Sequence, residues 1–131
     1  MIFVIHGYIY YAYYMRILMI HDDTVLQVAT YAKKPSLVLR PLQDLPDCHL
    51  DKLTCQNHTG NTILHEIAIL NQSLEVAKRV LEKAPGLLYM RNNLGETTIF
   101  WTAHYGKQDM FDFLAKKICV YILFFIYIIK Y

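Results

Sequence analysis

Through the middle of the chain, apolar side chains recur at helical spacing in short runs divided by polar turns. Leu64, Ile67 and Ala68 share one helical face, and Ile99, Thr102 and Ala103 occupy the same places in a later run. After the first of these, Val76, Ala77, Val80 and Leu81 form an apolar stripe. After the second, the stretch 109–114 (Asp-Met-Phe-Asp-Phe-Leu) is apolar on one side. The boundaries are marked as well. Gly60 and Gly95 stand where a tight turn needs a positive φ, which is cheap only without a Cβ. Thr62 and Thr97 follow two residues later, suited to cap the helices that begin there, and Ser73 suits the start of the next helix. Lys78, Arg79 and Lys83 lie towards the C-terminal end of that helix, where the helix dipole favours cations, and Ala84-Pro85-Gly86 stops it. The pattern predicts a unit of helix, short turn, helix and glycine-marked hairpin turn.

The unit recurs. Thr59-Gly60-Asn61-Thr62-Ile63-Leu64-His65-Glu66-Ile67-Ala68 returns as Leu94-Gly95-Glu96-Thr97-Thr98-Ile99-Phe100-Trp101-Thr102-Ala103, with glycine, threonine and alanine all 35 residues apart. A period of this length marks stacked units, each burying its apolar face only against its neighbours. A fainter copy precedes them at Asp22-Asp23-Thr24-Val25-Leu26-Gln27-Val28-Ala29, offset by 38, with extra loop residues expected around 42–50. There Asp22 takes the turn glycine's place, and Asp tolerates the left-handed region better than most residues. Pro41 falls in that copy's second helix, which is expected to be short or kinked.

Gly60-x-Thr62-x-Leu64-His65-x-x-Ala68 resembles the ankyrin-repeat signature, Gly-x-Thr-Pro-Leu-His-x-Ala-Ala. Gly106-Lys107-Gln108-Asp109-Met110 is similar to the stretch that opens the family's second helix. Asn57 and Asn92 stand where the family has the Asp of its hairpin turn. The resemblance implies an all-α, ankyrin-type helix-turn-helix solenoid of about three repeats, at about 21–56, 57–91 and 92–118. Its structural positions would be Gly60, Thr62, Leu64, His65, Ala68, Gly95, Thr97, Ile99, Ala103 and Gly106. Ile63 and Thr98 replace the motif's Pro, and Phe100 replaces the His that ties the family's turn together, so a looser turn is expected there. Residues 81–87 and 91–97 further resemble plant ankyrin proteins with a C-terminal PGG membrane domain, linked with stress and defence signalling. This chain contains no Pro-Gly-Gly motif.

Composition narrows the function. The 131 residues are one domain's worth, and a net charge of +2 without basic runs makes no case for nucleic acid. Three cysteines without a paired framework fit a reducing, cytoplasmic compartment. The hydrophobic fraction of 55% is concentrated at the two ends. Residues 1–20 carry Arg16 as their only charge and match the roughly 20 apolar residues of a spanning helix. The 12 residues at 118–129 are too few to span unaided, though they can extend the last helix and set Lys116 and Lys117 at a membrane surface. Three readings fit the segments 1–20 and 119–131: a membrane anchor at either end, apolar flaps over the terminal repeats, or translated non-coding sequence. The last is favoured, because Ile, Tyr, Phe and Lys have AT-rich codons and terminal repeats ordinarily carry polar faces.

Candidate chemistry is thin. Cys48, His49, Cys55, His58 and His65 carry zinc-capable atoms, yet no second close pair completes a four-ligand site around Cys55-x-x-His58. His21 beside Asp22 and Asp23 suggests acid–base work only by adjacency, and no nucleophile elbow or phosphate loop is present. No catalytic residue, metal or cofactor is therefore expected. The expected function is a non-catalytic protein–protein interaction module, with a membrane-tethered signalling protein as the alternative. A protein partner would dock on the hairpin tips (His58, Thr59, Asn92, Asn93, Leu94) and the exposed side of the first helices (Glu66, Ile69, Trp101, His104). Trp101 is the expected anchor, since Trp and Tyr are favoured at binding hot spots.

Overall fold

The computed structural model describes residues 24–70 and 74–130. Within them the chain is mostly helical and has no strand, with an isolated antiparallel bridge between Arg91 and Thr97. The helices are α1 (Val25–Tyr31), α2 (Pro35–Gln43), α3 (Ile63–Ile69), α4 (Leu74–Lys83), α5 (Thr98–His104) and α6 (Gln108–Lys130), with 3-10 helices at Asp47–Thr54 and Pro85–Tyr89. The expectations placed on residues 1–20, on His21, Asp22 and Asp23, and on Ser73 lie outside the described residues.

The helices form two rows. α1 packs on α3 and α3 on α5; α2 packs on α4 and α4 on α6. Each first helix also packs on the second helix that follows it. One core runs between the rows, built from Leu26, Val38, Leu42, Leu64, Ile67, Val76, Val80, Leu87, Leu88 and Leu114. On the helices the paired positions are three or four apart (Leu64 and Ile67, Val38 and Leu42, Val76 and Val80), so helical periodicity decides which faces meet, and Leu87 and Leu88 join from the 3-10 turn.

Each first helix is seven residues long, too short to be stable alone, and depends on its caps and neighbours. Thr24 caps α1 reciprocally with Gln27. Thr62 caps α3 with His65, whose Nδ1 accepts from the Thr62 backbone N–H at 3.2 Å and faces its hydroxyl at 2.9 Å. Thr97 begins α5 without a side-chain cap. Its counterpart three residues on is Phe100, which has no polar atom to return the bond.

Pro35 opens α2, where its fixed φ suits the first turn and no N–H is missed. Pro41 lies inside the same helix, which runs two residues further to Gln43 and stops at nine residues. The carbonyl it leaves unserved, at Leu37, lies on an exposed residue within reach of water. The loop expected around 42–50 is partly ordered as the 3-10 helix Asp47–Thr54, which buries Leu53. α4 ends at Lys83, directly before Ala84-Pro85-Gly86, and the following 3-10 turn tucks Leu87 and Leu88 into the core.

α6 behaves differently. Thirty-five residues after Ala84-Pro85-Gly86 the chain reads Cys119-Val120-Tyr121, with no breaker, and the helix runs on through Lys130. Its buried residues are Met110 and Leu114, both in its first two turns. Among the described residues no helix is long and apolar enough to cross a membrane.

The hydroxyl of Thr98 is buried without a hydrogen-bond partner, at the place where α3 has the buried Ile63. An orphaned buried hydroxyl costs about 1–3 kcal/mol. Replacing Thr98 by the isosteric Val should therefore raise the midpoint of denaturant unfolding by about 1 kcal/mol of stability. A lowered midpoint would show that the hydroxyl has a partner.

Candidate interaction surface

The two hairpin tips repeat bond for bond. Asn57 N–H donates to the Asn61 carbonyl at 2.9 Å and Gly60 N–H to the Asn57 carbonyl at 2.8 Å. Asn92 N–H and Gly95 N–H do the same to Glu96 and Asn92, at 3.0 and 2.9 Å. The Asn57 side-chain oxygen accepts from the backbones of Thr59 and Asn61; that of Asn92 accepts from Leu94 and Glu96. Short polar side chains of this kind replace the backbone as turn partners. Gly60 and Gly95 share a left-handed backbone, φ 78° and 79°.

Between tips the chain is stitched. Asn93 donates its backbone N–H to the Thr59 carbonyl and its side-chain amide to the His58 carbonyl, both at 3.0 Å. Gln56 bridges the Gly60 and Arg91 carbonyls at 2.6 and 2.7 Å. A Cβ on Gly60 would collide with Asn93, whereas one on Gly95 would meet nothing. Gly60 is thus enclosed by the next tip, and Gly95 is not.

The first helices reach across too. Gln27, which answers the Thr24 cap, donates its amide to the Asn61 carbonyl at 3.0 Å. His65, which answers the Thr62 cap, sets Nε2 at 3.1 Å from the Glu96 carbonyl. A carbonyl only accepts, so Nε2 carries the proton and Nδ1 is left to accept from Thr62. Burial pushes the His65 pKa down from its ordinary value, against the raising effects of the Glu96 carbonyl and carboxylate. The two residues do the same work: each fixes its own helix start and holds the neighbouring tip.

A second polar set repeats with its charge moved. Asn57 and Asn61 both donate to the Glu66 carboxylate, at 3.2 and 3.0 Å. Thirty-five residues on, Asn92 and the Trp101 indole N–H both donate to Glu96. Each set has one carboxylate and two donors, placed on the helix in the first case and in the turn in the second. The Trp101 and Asn92 bonds hold the Glu96 carboxyl below the usual range. Asn92 also donates to Asn61 at 3.3 Å, joining the two sets.

These bonds change where the expected docking residues stand. Glu66 is 5% exposed and spent on the two asparagines, so it does not belong to the exposed side of α3. Asn92 is likewise buried inside its own turn. Glu66 is closed over by Asn57 and Asn61 of its own tip, and Asn92 by Glu96 and by Asn61 of the preceding tip. Trp101 is half-buried, bonded to Glu96 and edge-on to His65 at 5.7 Å, so it packs between helices as well as facing outward. Ile69 is half-buried; His58, Thr59, Asn93, Leu94 and His104 are exposed. Ala68 is buried, whereas Ala103 is exposed because no further helix pair follows α6 among the described residues.

Phe100 and Tyr105 complete the surface, each 51% exposed. Phe100 stacks on His104 at 6.3 Å, and Tyr105 lies edge-on to His104 at 5.0 Å and to Trp101 at 5.5 Å. Together they form an exposed aromatic patch on α5, and Leu94, 80% exposed, stands at the tip that precedes it. The signal was available in the repeat itself: Phe100 occupies the position of His65, which the next tip covers.

Among the described residues no group of three or more His, Cys, Asp or Glu is gathered to hold a metal ion. Cys48 is exposed, Cys55 leans on the Asp51 carbonyl with its pKa raised by burial, and His65 is engaged between units.

No family model matches the chain. It is 28% identical over 88 residues to leucine-rich repeat serine/threonine-protein kinase 1 of Caenorhabditis elegans. That similarity takes in 67% of this chain, and the chain spans about 3% of the relative's length.

Two outcomes follow from the stitching. Because the folded pKa of His65 lies below that of the unfolded chain, the unfolded state takes up the proton first as pH falls. Stability should be full above about pH 6.5 and decline as pH drops below it. His65→Gln, which copies the residue at Gln27, should keep the bond and lose the decline between pH 7.5 and 5.5 in thermal unfolding; parallel curves would remove His65 as the cause. Gly60→Ala should destabilise more than Gly95→Ala, since the latter meets only the left-handed cost of about 1–2 kcal/mol. Equal losses in denaturant titrations would mean that Asn93 does not close over Gly60.

Proposed function

We propose that the chain is an ankyrin-type repeat stack acting as a non-catalytic protein–protein interaction module. The 35-residue offset, the two rows of helices, the matched hairpin tips and the side-chain links to the next unit all support this reading. The observation that carries it is the exposed aromatic set of Phe100, His104 and Tyr105 on α5, with Leu94 exposed at the tip before it. Aromatic side chains bring large contact area at small entropic cost, and a rigid frame limits what is lost on binding. The exposed tips at His58, Thr59 and Asn93 would extend the contact with polar groups.

Trp101 is assigned here to the frame, and Phe100 and Tyr105 to the contact. A photo-crosslinking residue at Phe100 or Leu94 should capture a discrete protein in cells, and one at the exposed Lys78 of α4 should not. Phe100→Ala with Tyr105→Ala should then weaken binding of that protein at least tenfold, with the thermal midpoint little changed. Equal capture from both sites, or unchanged affinity, would refute the assignment.

A further inference from the structure

α6 outruns the stack that supports it. Beyond Ile118 every described residue is exposed, and Val120 through Ile129 are ten consecutive apolar side chains between 42% and 72% exposed. Successive residues turn by about 100°, so ten of them cover the whole circumference. The surface is apolar on all sides and is not a stripe.

That geometry chooses among occupants. A partner protein, a second copy of the chain or a single apolar segment would cover one side and leave the opposite side in water. A helix apolar all round suits a surrounding that is itself apolar on every side. The charges point the same way. Lys116 and Lys117 precede the apolar run, Lys130 closes it, and no Asp or Glu lies between residues 113 and 130. Cations at both ends match the negative surface of an anionic bilayer. Tyr89 meets Tyr121 edge-on at 6.4 Å, and an apolar recess of about 400 Å³ beside them is lined by Ile122, Phe125 and Ile126, room for part of an acyl chain.

Length fixes the mode. The 12 residues 118–129 extend about 18 Å as a helix, against about 30 Å of bilayer hydrocarbon. The segment is too short to cross, in keeping with the absence of a spanning helix among the described residues. Lys130 at its far end also resists deep burial. A tilted position within one leaflet satisfies both, because lysine stems can run along apolar surface while their ammonium groups stay at the headgroups. We infer that residues 118–130 form a lipid-binding element that beds obliquely into one leaflet of an anionic membrane, with Lys116 and Lys117 at one end and Lys130 at the other in the headgroup layer. The element is separate from the aromatic patch on α5, so either assignment can fail alone.

The test is flotation of the full chain with vesicles of phosphatidylcholine, with and without phosphatidylserine. The chain should float with the mixed vesicles and much less with phosphatidylcholine alone. Leu123→Asp with Ile126→Asp lies outside the core, so it should leave the thermal midpoint unchanged while reducing the floated fraction at least tenfold. Lys116→Glu with Lys117→Glu should abolish the preference for phosphatidylserine. Flotation unaffected by the double aspartate variant would place any lipid contact elsewhere in the chain and overturn the inference. So would a vesicle-indifferent chain, or a discrete dimer in sedimentation that the same variant splits, since the helix would then be covered by a second copy.

Discussion

The structure depends on a side chain doing two things at once. Gln27 and His65 each complete the cap of their own short helix and each hold a backbone carbonyl of the following tip, at Asn61 and Glu96. A seven-residue helix has little stability of its own. Fixing its start with the same group that grips the next unit makes local order and stacking cooperative. A lost link would loosen a helix and an interface together.

The same position explains why the third unit is different. Phe100 stands where Gln27 and His65 stand, with no atom to cap Thr97 and no carbonyl to hold. Around it the signs of an uncovered face accumulate: open space at Gly95, an exposed Leu94 and an exposed Ala103. What is buried and polar in the second unit becomes exposed and aromatic in the third. The stack therefore offers its most adhesive surface where its internal stitching stops. Moving the carboxylate from Glu66 to Glu96 belongs to this change, since it frees the helix position for Trp101, whose indole answers it.

Much of the helical frame was legible from spacing alone. Gly60, Gly95 and the threonines two residues later set the turns and helix starts, and the apolar faces followed from periodicity. The polar interior was not legible. Glu66 and Asn92 look like surface residues in the hydrophobic pattern, yet Asn57 and Asn61 close on Glu66, while Glu96 and Asn61 of the preceding tip close on Asn92. Polar closure of that kind leaves no trace in apolar spacing, and the Asn92 link to Asn61 exists only between units. Trp101 misleads for the same reason, because its hydrogen-bond partner lies in the turn and its ring partner, His65, in the preceding unit. At α6 the length of the helix was written in what is missing: without a counterpart to Pro85 and Gly86, nothing ends it at Ile118.

The direct test of the link is the imidazole of His65 itself. Long-range nitrogen–proton correlation spectra at neutral pH should show His65 as the uncharged Nε2–H tautomer, with Nδ1 shifted as a hydrogen-bond acceptor. A charged ring, or a proton on Nδ1, would contradict the cap-and-carbonyl arrangement on which the stack rests.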